Sequence, residues 1–463
     1  MSKKTYRPYQ PKQLLLLPPS LEEWLPADHL VYFLSDTVDS LDLSAIEQGY
    51  ERELRGQPPY HPAMMVKVLL YAYCVGVYSS RRIERQLQEN VAFRVLAANN
   101  QPDFRTISDF RKRHLKSLGG LFLEVLKVCQ KAGLVKLGHV SLDGTKIKAN
   151  ASRHRAMSYQ RMQEEEKRLQ GEIDELLKQA EKVDAAEDRT YGAKRRGDEL
   201  PEELRFRENR LAKIREAKAA LEAEAREKDG VDTTPSQSLQ PSESAKPDDD
   251  PDPSPDGPGK GSRRKREKGT PKAKAQRNFT DPESKIMRGS EKQFLQGYNA
   301  QIVVDSDSQV IVATDVTNQA ADCPHLVPML SQVEANTGQR PDEASADAGY
   351  YSDSNVNWLL DQKISPYIPP DKLNHRERRR PKRPVGPRPK TLRDKMRRKL
   401  QMKRHFMRYQ KRERSVEPVF GQIKEARGFR QFRLRGLEKV RGEWLLACIA
   451  HNLLKLHAAK KAG

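Results

Sequence analysis

The sequence predicts a mixed α/β protein: a mixed sheet with flanking helices, preceded by an all-helical N-terminal region and interrupted by a helical-hairpin insertion. Three observations predict it. Residues 14–130 carry apolar side chains at three- and four-residue spacing, through LEEWL, HPAMMVKVLLYAY, SSRRIERQLQENVAFRVL and TISDFRKRHLKSLGGLFLEVLKVCQKAG. The later run FLQGYNAQIVVDSDSQVIVATDVT alternates as two strands, joined by a hairpin at Asp305-Ser306-Asp307-Ser308. Between them, Met162, Leu169, Ile173, Leu176, Ala180 and Val183 follow a coiled-coil seam with Glu166 as its one polar interruption.

The elements follow in order. Thr106 or Ser108 fits the cap of the last N-terminal helix and Gly133 its end. Leu134–Leu142 alternates as a strand that ends abruptly at Asp143-Gly144. A second helical stretch, Glu202–Glu227, carries Leu204, Leu211, Ile214 and Leu221, and folds back on the first or pairs with a second subunit. Residues 231–277, rich in Pro, Ser and charge with an acidic block before a basic one, are expected to be disordered. After the hairpin come a helix at His325–Asn336, a strand at Glu343–Ala346, a helix at Ser354–Gln362 and a strand at Ile364–Ile368. Ser415–Lys455 is helical, with Trp444, Leu445, Cys448, Ile449, Leu453 and Leu454 on a buried face.

Composition excludes several classes. The 463 residues suit two or three domains at roughly 150 residues each. No run approaches the roughly 18 apolar residues of a membrane span. The polar start MSKKTYRPYQ and the scattered Cys74, Cys129, Cys323 and Cys448 predict a cytoplasmic protein without disulfide framework or zinc knuckle. Lys+Arg 85 against Asp+Glu 64 gives +21, and Asp371–Arg414 holds 20 basic and four acidic residues, so 20 − 4 places +16 there. Such a stretch fits contacts to a nucleic-acid backbone or a solvating loop. Arg81, Arg82 and Arg85 beside Ile83 and Leu87 fit a DNA-contacting helix as well as an ordinary amphipathic one.

Three acids stand apart. Asp143 and Asp347 fall at strand ends and Glu417 on a helix after the last strand, the separate rigid placement that carboxylates gripping magnesium for phosphodiester chemistry require. Singly, Asp143-Gly144 and Asp347-Ala348-Gly349 read as turns and Glu417 as a solvated helix residue. His139 and His325 show no partner in sequence and read as packed or surface histidines.

Taken together, these segments resemble insertion-sequence transposases of the DDE class, which use an RNase H-like catalytic domain. The likeness lies in the helical HPAMMVKVLLYAYCVGVYSSRRIERQLQENVAFRVL and PDFRTISDFRKRH, in SLDGTKIKANAS, in KQFLQGYNAQIVVD with Ala321-Asp322-Cys323-Pro324-His325-Leu326, in SADAGYYSDSN, and in YQKRERSVEPVFGQIKEARGFRQFRLRGLEKVRGEWLLACIAHNLLKL. It implies Asp143, Asp347 and Glu417 as catalytic residues holding two Mg2+ ions, with Mn2+ able to substitute. The wider signature Tyr-x2-Arg-x3-Glu-x6-Lys is met by Tyr409, Arg412, Glu417 and Lys424 with one extra residue in the middle, which Pro418 would absorb by starting or kinking the helix. Tyr409, Arg412 and Lys424, with Arg81, Arg82, Arg397, Arg398 and Arg404, are then the expected DNA contacts. Glu413 is a rival acid by proximity only.

The implied activity is metal-dependent cleavage at transposon ends and strand transfer into target DNA by a homodimer in the synaptic complex, in a nucleoid-associated cytoplasmic protein. The rivals are a catalytically silent DNA-binding derivative and a structure-specific nuclease. The expected layout is a helical N-terminal domain (1–133), the first part of the catalytic domain (134–152), the hairpin (153–230), a linker (231–277), the second catalytic part (278–370), a basic DNA-contacting segment (371–408) and the C-terminal catalytic and packing helices (409–463).

Overall fold

The computed structural model describes residues 20–51, 58–191, 202–230, 268–289, 293–371 and 389–462. The chain divides into two compact units, Met1–Asn150 with Met287–Gly463, and Ala151–Ile286.

The larger unit opens with α1 (Leu30–Asp39), α2 (Ser44–Glu51), α3 (Pro62–Cys74), α4 (Ser80–Glu89), α5 (Val91–Leu96), α6 (Phe104–Arg113) and α7 (Leu115–Lys131). In α3, Pro62 sits where a helix needs no backbone donor, His61 caps the Ala63 amide, and Met64–Cys74 are buried apart from Lys67, so the helix is apolar nearly all round. The single long helix expected up to Gly133 is two. Asp103, rather than Thr106 or Ser108, caps α6 by accepting from the Thr106 amide, and the chain breaks at His114, whose ring lies against Phe110 and Tyr50.

The first strand also differs from expectation. β1 is Val140–Lys148, so Asp143 lies inside it rather than at its end. Leu137, at φ +55°, prevents an earlier start. Gly144 marks close packing, not a turn: a Cβ there would stand 2.3 Å from Gln301 Nε2 and 3.0 Å from both Asn299 Oδ1 and Asp322 Oδ1.

The smaller unit holds β2 (Ala156–Ser158), α8 (Tyr159–Tyr191), α9 (Glu202–Lys228) and β3 (Gln276–Asn278). The two helices pack on each other within the chain, Met162, Leu169 and Ile173 meeting Leu204, Leu211, Ile214 and Leu221. Glu166, the interruption in the seam, is held by Arg215 and Lys218 of α9, each at 2.9 Å. β2 and β3 run antiparallel, with Ala156 opposite Asn278. Of the stretch expected to be disordered, 231–267 lies outside the described residues, whereas residues 268–277 form turns and enter β3.

The chain then gives β4 (Lys285–Arg288), β5 (Phe294–Asp305), β6 (Ile311–Thr317), α10 (Leu326–Thr337), β7 (Glu343–Ser345), α11 (Asp353–Asp361), β8 (Ser365–Tyr367), α12 (Leu392–Gln401), α13 (Lys403–Gly421) and α14 (Leu437–Ala462). The sheet is mixed, in the order β4-β5-β1-β7-β8 with β6 also paired to β5. β5 runs antiparallel to β1, Ile302 opposite Asp143. β7 runs parallel to β1, Ser345 opposite Ser141. Asp305 closes the β5–β6 hairpin by accepting from the Asp307 and Ser308 amides, each at 3.1 Å. Pro418 lies within α13 rather than at its start, and the helix widens into one π-helical turn, Gln422–Ala426.

α14 is a central helix rather than a one-faced one. Trp444, Leu446, Cys448, Ile449 and Leu453 are buried, as are Glu443, His451 and Asn452, while Leu445 and Leu454 are only half-buried. It packs against α3, α7 and β6. The polar members are all bonded: Asn452 exchanges hydrogen bonds with the Ile311 backbone, and Glu443 accepts from the Arg433 and Leu434 amides. His451 Nδ1 faces Arg427 at 3.2 Å, so it accepts there and Nε2–H donates to the Gln309 carbonyl at 2.9 Å. That geometry needs a neutral ring, and burial, helped by Arg427, lowers the His451 pKa to about 3.

A histidine with a depressed folded pKa contributes stability that is complete above its ordinary value and is lost as pH falls. Between about pH 6.5 and 3 the His451 contribution should decline by up to about 1.4 kcal/mol per pH unit. Urea unfolding across that range should show the decline in the parent protein and a shallower one in His451→Gln.

Candidate active site

Two of the three acids singled out from sequence bond one guanidinium. Arg412, on α13, donates through Nη1 to Asp143 Oδ2 at 2.7 Å and through Nη2 to Glu417 Oε1 at 3.3 Å. Asp347, just beyond β7, acts electrostatically on both Asp143 and Arg412. It also caps the short turn Ala348–Tyr350 by accepting from the Gly349 amide at 2.9 Å, so it fills the turn role as well. Alternation along β1 turns Ser141, Asp143 and Thr145 to one face, where Ser415 and Arg412 of α13 meet the first two and Lys424 the third. Lys424, on the π-helical turn, donates to Thr145 Oγ1 at 3.0 Å.

The electrostatics follow from burial. Only 18% of the Asp143 side chain and 7% of Arg412 are exposed, against 47% of Glu417. Burial pushes the Asp143 carboxyl up to about 7; Arg412 pulls it down, and Asp347 and then Asp322 raise it. Burial works against the Arg412 charge, yet its pKa is raised because Asp143, Tyr409 and Glu417 surround it.

Asp322 is a fourth acid at the site, quoted in the sequence only as part of its Ala-Asp-Cys-Pro-His-Leu block. Its Oδ1 accepts from Asn299 at 2.7 Å, Gln301 at 2.9 Å and Lys146 at 3.0 Å. The Tyr350 hydroxyl donates to Gln301 Oε1, bracing the group. Asp322 Oδ2 and Asp347 Oδ1 flank Gly349, where an added Cβ would lie 3.6 and 3.0 Å from them.

His139 is packed, one of the two states its sequence allowed, but it has two partners: Glu343 Oε2 on Nδ1 and Ser345 Oγ on Nε2, each at 3.0 Å. Burial, then Lys411 and Arg408, lowers its pKa to about 4. No local pattern announces contacts more than 200 residues away. His325 is half-buried beside Asp322, with its pKa lowered by burial.

The expected DNA contacts are dispersed. Tyr409 is buried among Tyr367, Met396, Leu400 and Phe406. Arg412 turns inward, as its two carboxylate bonds require. Arg81 and Arg82 are exposed on α4, the Arg81 guanidinium 5.0 Å over the Phe104 ring. On α12, Arg397 is exposed and paired with Asp371 and Asp394, and Arg398 is half-buried. Arg404 is exposed at the start of α13. Residues 372–388 of the basic stretch lie outside the described residues.

The donor set of Asp143, Asp347 and Glu417 is all oxygen, which fits a hard divalent cation. Among the described residues, however, no three His, Cys, Asp or Glu side chains are gathered to hold a metal ion as they stand. The positive charge at their centre is Arg412.

Comparison with known proteins adds two matches. Residues 19–113 match the family model described as Transposase domain (DUF772), and residues 264–453 match the one described as Transposase DDE domain. The second spans Asp347, Glu417 and Lys424; Asp143 falls between the two. No curated protein and no solved structure matches the chain.

Because the Asp143 pKa is raised from 3.8 to about 7, the folded state binds the extra proton in that window. Stability from this group is therefore full below about pH 4 and is lost as pH rises through 7, by up to about 1.4 kcal/mol per unit. Denaturant unfolding in a chelating buffer should show that this loss is absent from Asp143→Asn.

Proposed function

Since the chain belongs to the insertion-sequence transposases of the DDE class, we propose that it cleaves transposon ends and transfers the freed 3′-hydroxyl into target DNA, with Asp143, Asp347 and Glu417 as its catalytic carboxylates. The observation that carries this reading is that Arg412 bonds Asp143 and Glu417 at once while Asp347, just beyond β7, acts on both Arg412 and Asp143 electrostatically. The strand order supports an RNase H-like assignment: β6, β5 and β1 run antiparallel in succession, and β7 and β8 follow parallel to β1.

Asp143, Asp347 and Glu417 would hold Mg2+, or Mn2+ in its place, singly or as a pair. Bound there, the cation supplies the Lewis acidity that lowers the pKa of an attacking water and offsets charge on the leaving oxygen. Without it, Arg412 keeps Asp143 and Glu417 compensated. To complete the site Arg412 gives up at least one carboxylate, and its planar fork then suits a DNA phosphate. Lys424, fixed by Thr145 two residues beyond Asp143, offers a point charge to a phosphate near the cut.

Arg81, Arg82, Arg397, Arg398 and Arg404 serve backbone contact, which gives salt-dependent affinity and no sequence information. For Arg397 such contact means exchanging Asp371 and Asp394 for phosphate. Tyr409 acts through packing beneath Arg412. Recognition of the terminal inverted repeats falls to α4–α6, and joining two ends calls for at least a homodimer.

Labelled transposon ends incubated with a supercoiled target, the full chain and Mg2+ test the proposal. Joined product is expected from the parent. Asp143→Asn and Glu417→Gln should each lower cleavage on the order of a thousandfold while end binding persists. Cleavage that never joins would mark a nuclease, binding alone a silent DNA-binding derivative, and full cutting by either variant would overturn the assignment of the acids.

A further inference from the structure

Beneath the three acids lies a second layer with the same spacing. Ser141, Ser345 and Ser415 each stand two residues before an acid, in Ser141-Leu142-Asp143, Ser345-Ala346-Asp347 and Ser415-Val416-Glu417. All three are fully buried, and their hydroxyls touch: Ser415 Oγ to Ser141 Oγ at 2.8 Å and Ser141 Oγ to Ser345 Oγ at 3.0 Å. On β1 the period of two puts Ser141 and Asp143 on one face.

The chain of bonds has a direction. Glu343 beside Nδ1 of His139 calls for the proton there, which leaves Nε2 to accept from Ser345. Ser345 then accepts from Ser141, and Ser141 from Ser306 at 3.0 Å and from Ser415, whose proton is shared with the Lys411 carbonyl at 2.8 Å. The far end returns to α13, because Glu343 pairs with Arg408, seven residues and about two turns before Ser415. Tyr367 of β8 donates at 3.3 Å to Glu343 Oε1, the oxygen that Arg408 pairs with. α13 is thus fastened to β1 and β7 at two points along its length by one circuit. The Ser345–His139–Glu343 segment has the connectivity of a hydrolytic triad, but Ser345 is sealed between Ser141 and His139 and no substrate reaches it.

We propose that the Ser141–Ser345–Ser415 hydroxyl layer, completed by His139 and Glu343, is a positioning device that sets the register of β1, β7 and α13 and so the mutual placement of Asp143, Asp347 and Glu417. It rests on the reading of those acids as the metal-holding set. The serines touch no substrate and act through the acids two residues on. Their loss should therefore weaken cation binding before it weakens DNA binding.

The test uses the full chain and Mn2+, whose binding to the DNA-free protein is followed by its electron paramagnetic resonance signal beside the end-cleavage rate. Ser141→Ala and Ser415→Ala should raise the half-saturating Mn2+ concentration about tenfold or more and slow cleavage by a similar factor, with affinity for end DNA unchanged. The double variant should lose little more than either single one, because both cut the same circuit. Ser141→Thr keeps the hydroxyl and Ser141→Val has the same shape without it; Thr is expected to restore Mn2+ binding and Val is not. Equal behaviour of Thr and Val, or Ala variants with parental Mn2+ binding, would overturn the proposal. So would a loss of thermal stability and DNA affinity without a metal shift. If Asp143→Asn itself leaves Mn2+ binding and cleavage intact, the reading of the acids has failed instead.

Discussion

Carboxylates brought together on the partly buried surface of a sheet repel one another, and the arrangement stands only if positive charge is placed among them. Arg412 supplies it, bonding Asp143 and Glu417 at once and feeling Asp347 as well. Its compensation is incomplete. Burial and the neighbouring acids still hold the Asp143 carboxyl well above its ordinary value. A protein that had merely to fold would gain from replacing such a cluster with apolar side chains. Its retention fits a site whose chemistry needs the charge.

The rest of the larger unit is arranged around that demand. β1 has partners on both edges: β5 along its whole length, with Ile302 opposite Asp143, and β7 at Val140 and Ser141 just before it. Gly144 lets the amides of Asn299 and Gln301 pack over the strand, and these hold Asp322 beside Lys146 rather than leaving another bare charge. α13 lies across the opposite face, where Ser415 meets Ser141 and Arg412 meets Asp143, and the π-helical turn that follows it brings Lys424 to Thr145.

Much of this was legible in the chain because it is local. The apolar spacing of Met64–Cys74 and the alternation of Phe294–Thr317 reflect which faces are buried, and the helices and hairpin lie where those patterns put them. The acids stood out once several motifs were read in order. What escaped the sequence depends on distant partners. Asp143-Gly144 has the composition of a turn, and only Gln301 and Asn299, more than 150 positions later, show why a strand needs glycine there. His139 seemed solitary because Glu343 and Ser345 are remote. Arg412 looked like a DNA contact, since nothing nearby indicates that its side chain is directed inward. Asp103, Thr106 and Ser108 all belong to the residue class that favours a helix cap, and only the fold selects Asp103 among them.

The insertion bears on how the sheet is made. β1 leaves the ribosome well before β5, its longest partner, and the intervening polymer might be thought to tax their pairing heavily. The β2–β3 ladder sets Ala156 opposite Asn278, and α8 and α9 bury their own seam. Once that excursion has folded, the tether between the two pairing segments shrinks to residues 149–155 before the ladder and 279–293 after it. Since closure entropy rises only logarithmically with contour length, roughly 0.6 kcal/mol per doubling, a self-contained excursion of this kind is a cheap passenger in a sheet that must be zipped late.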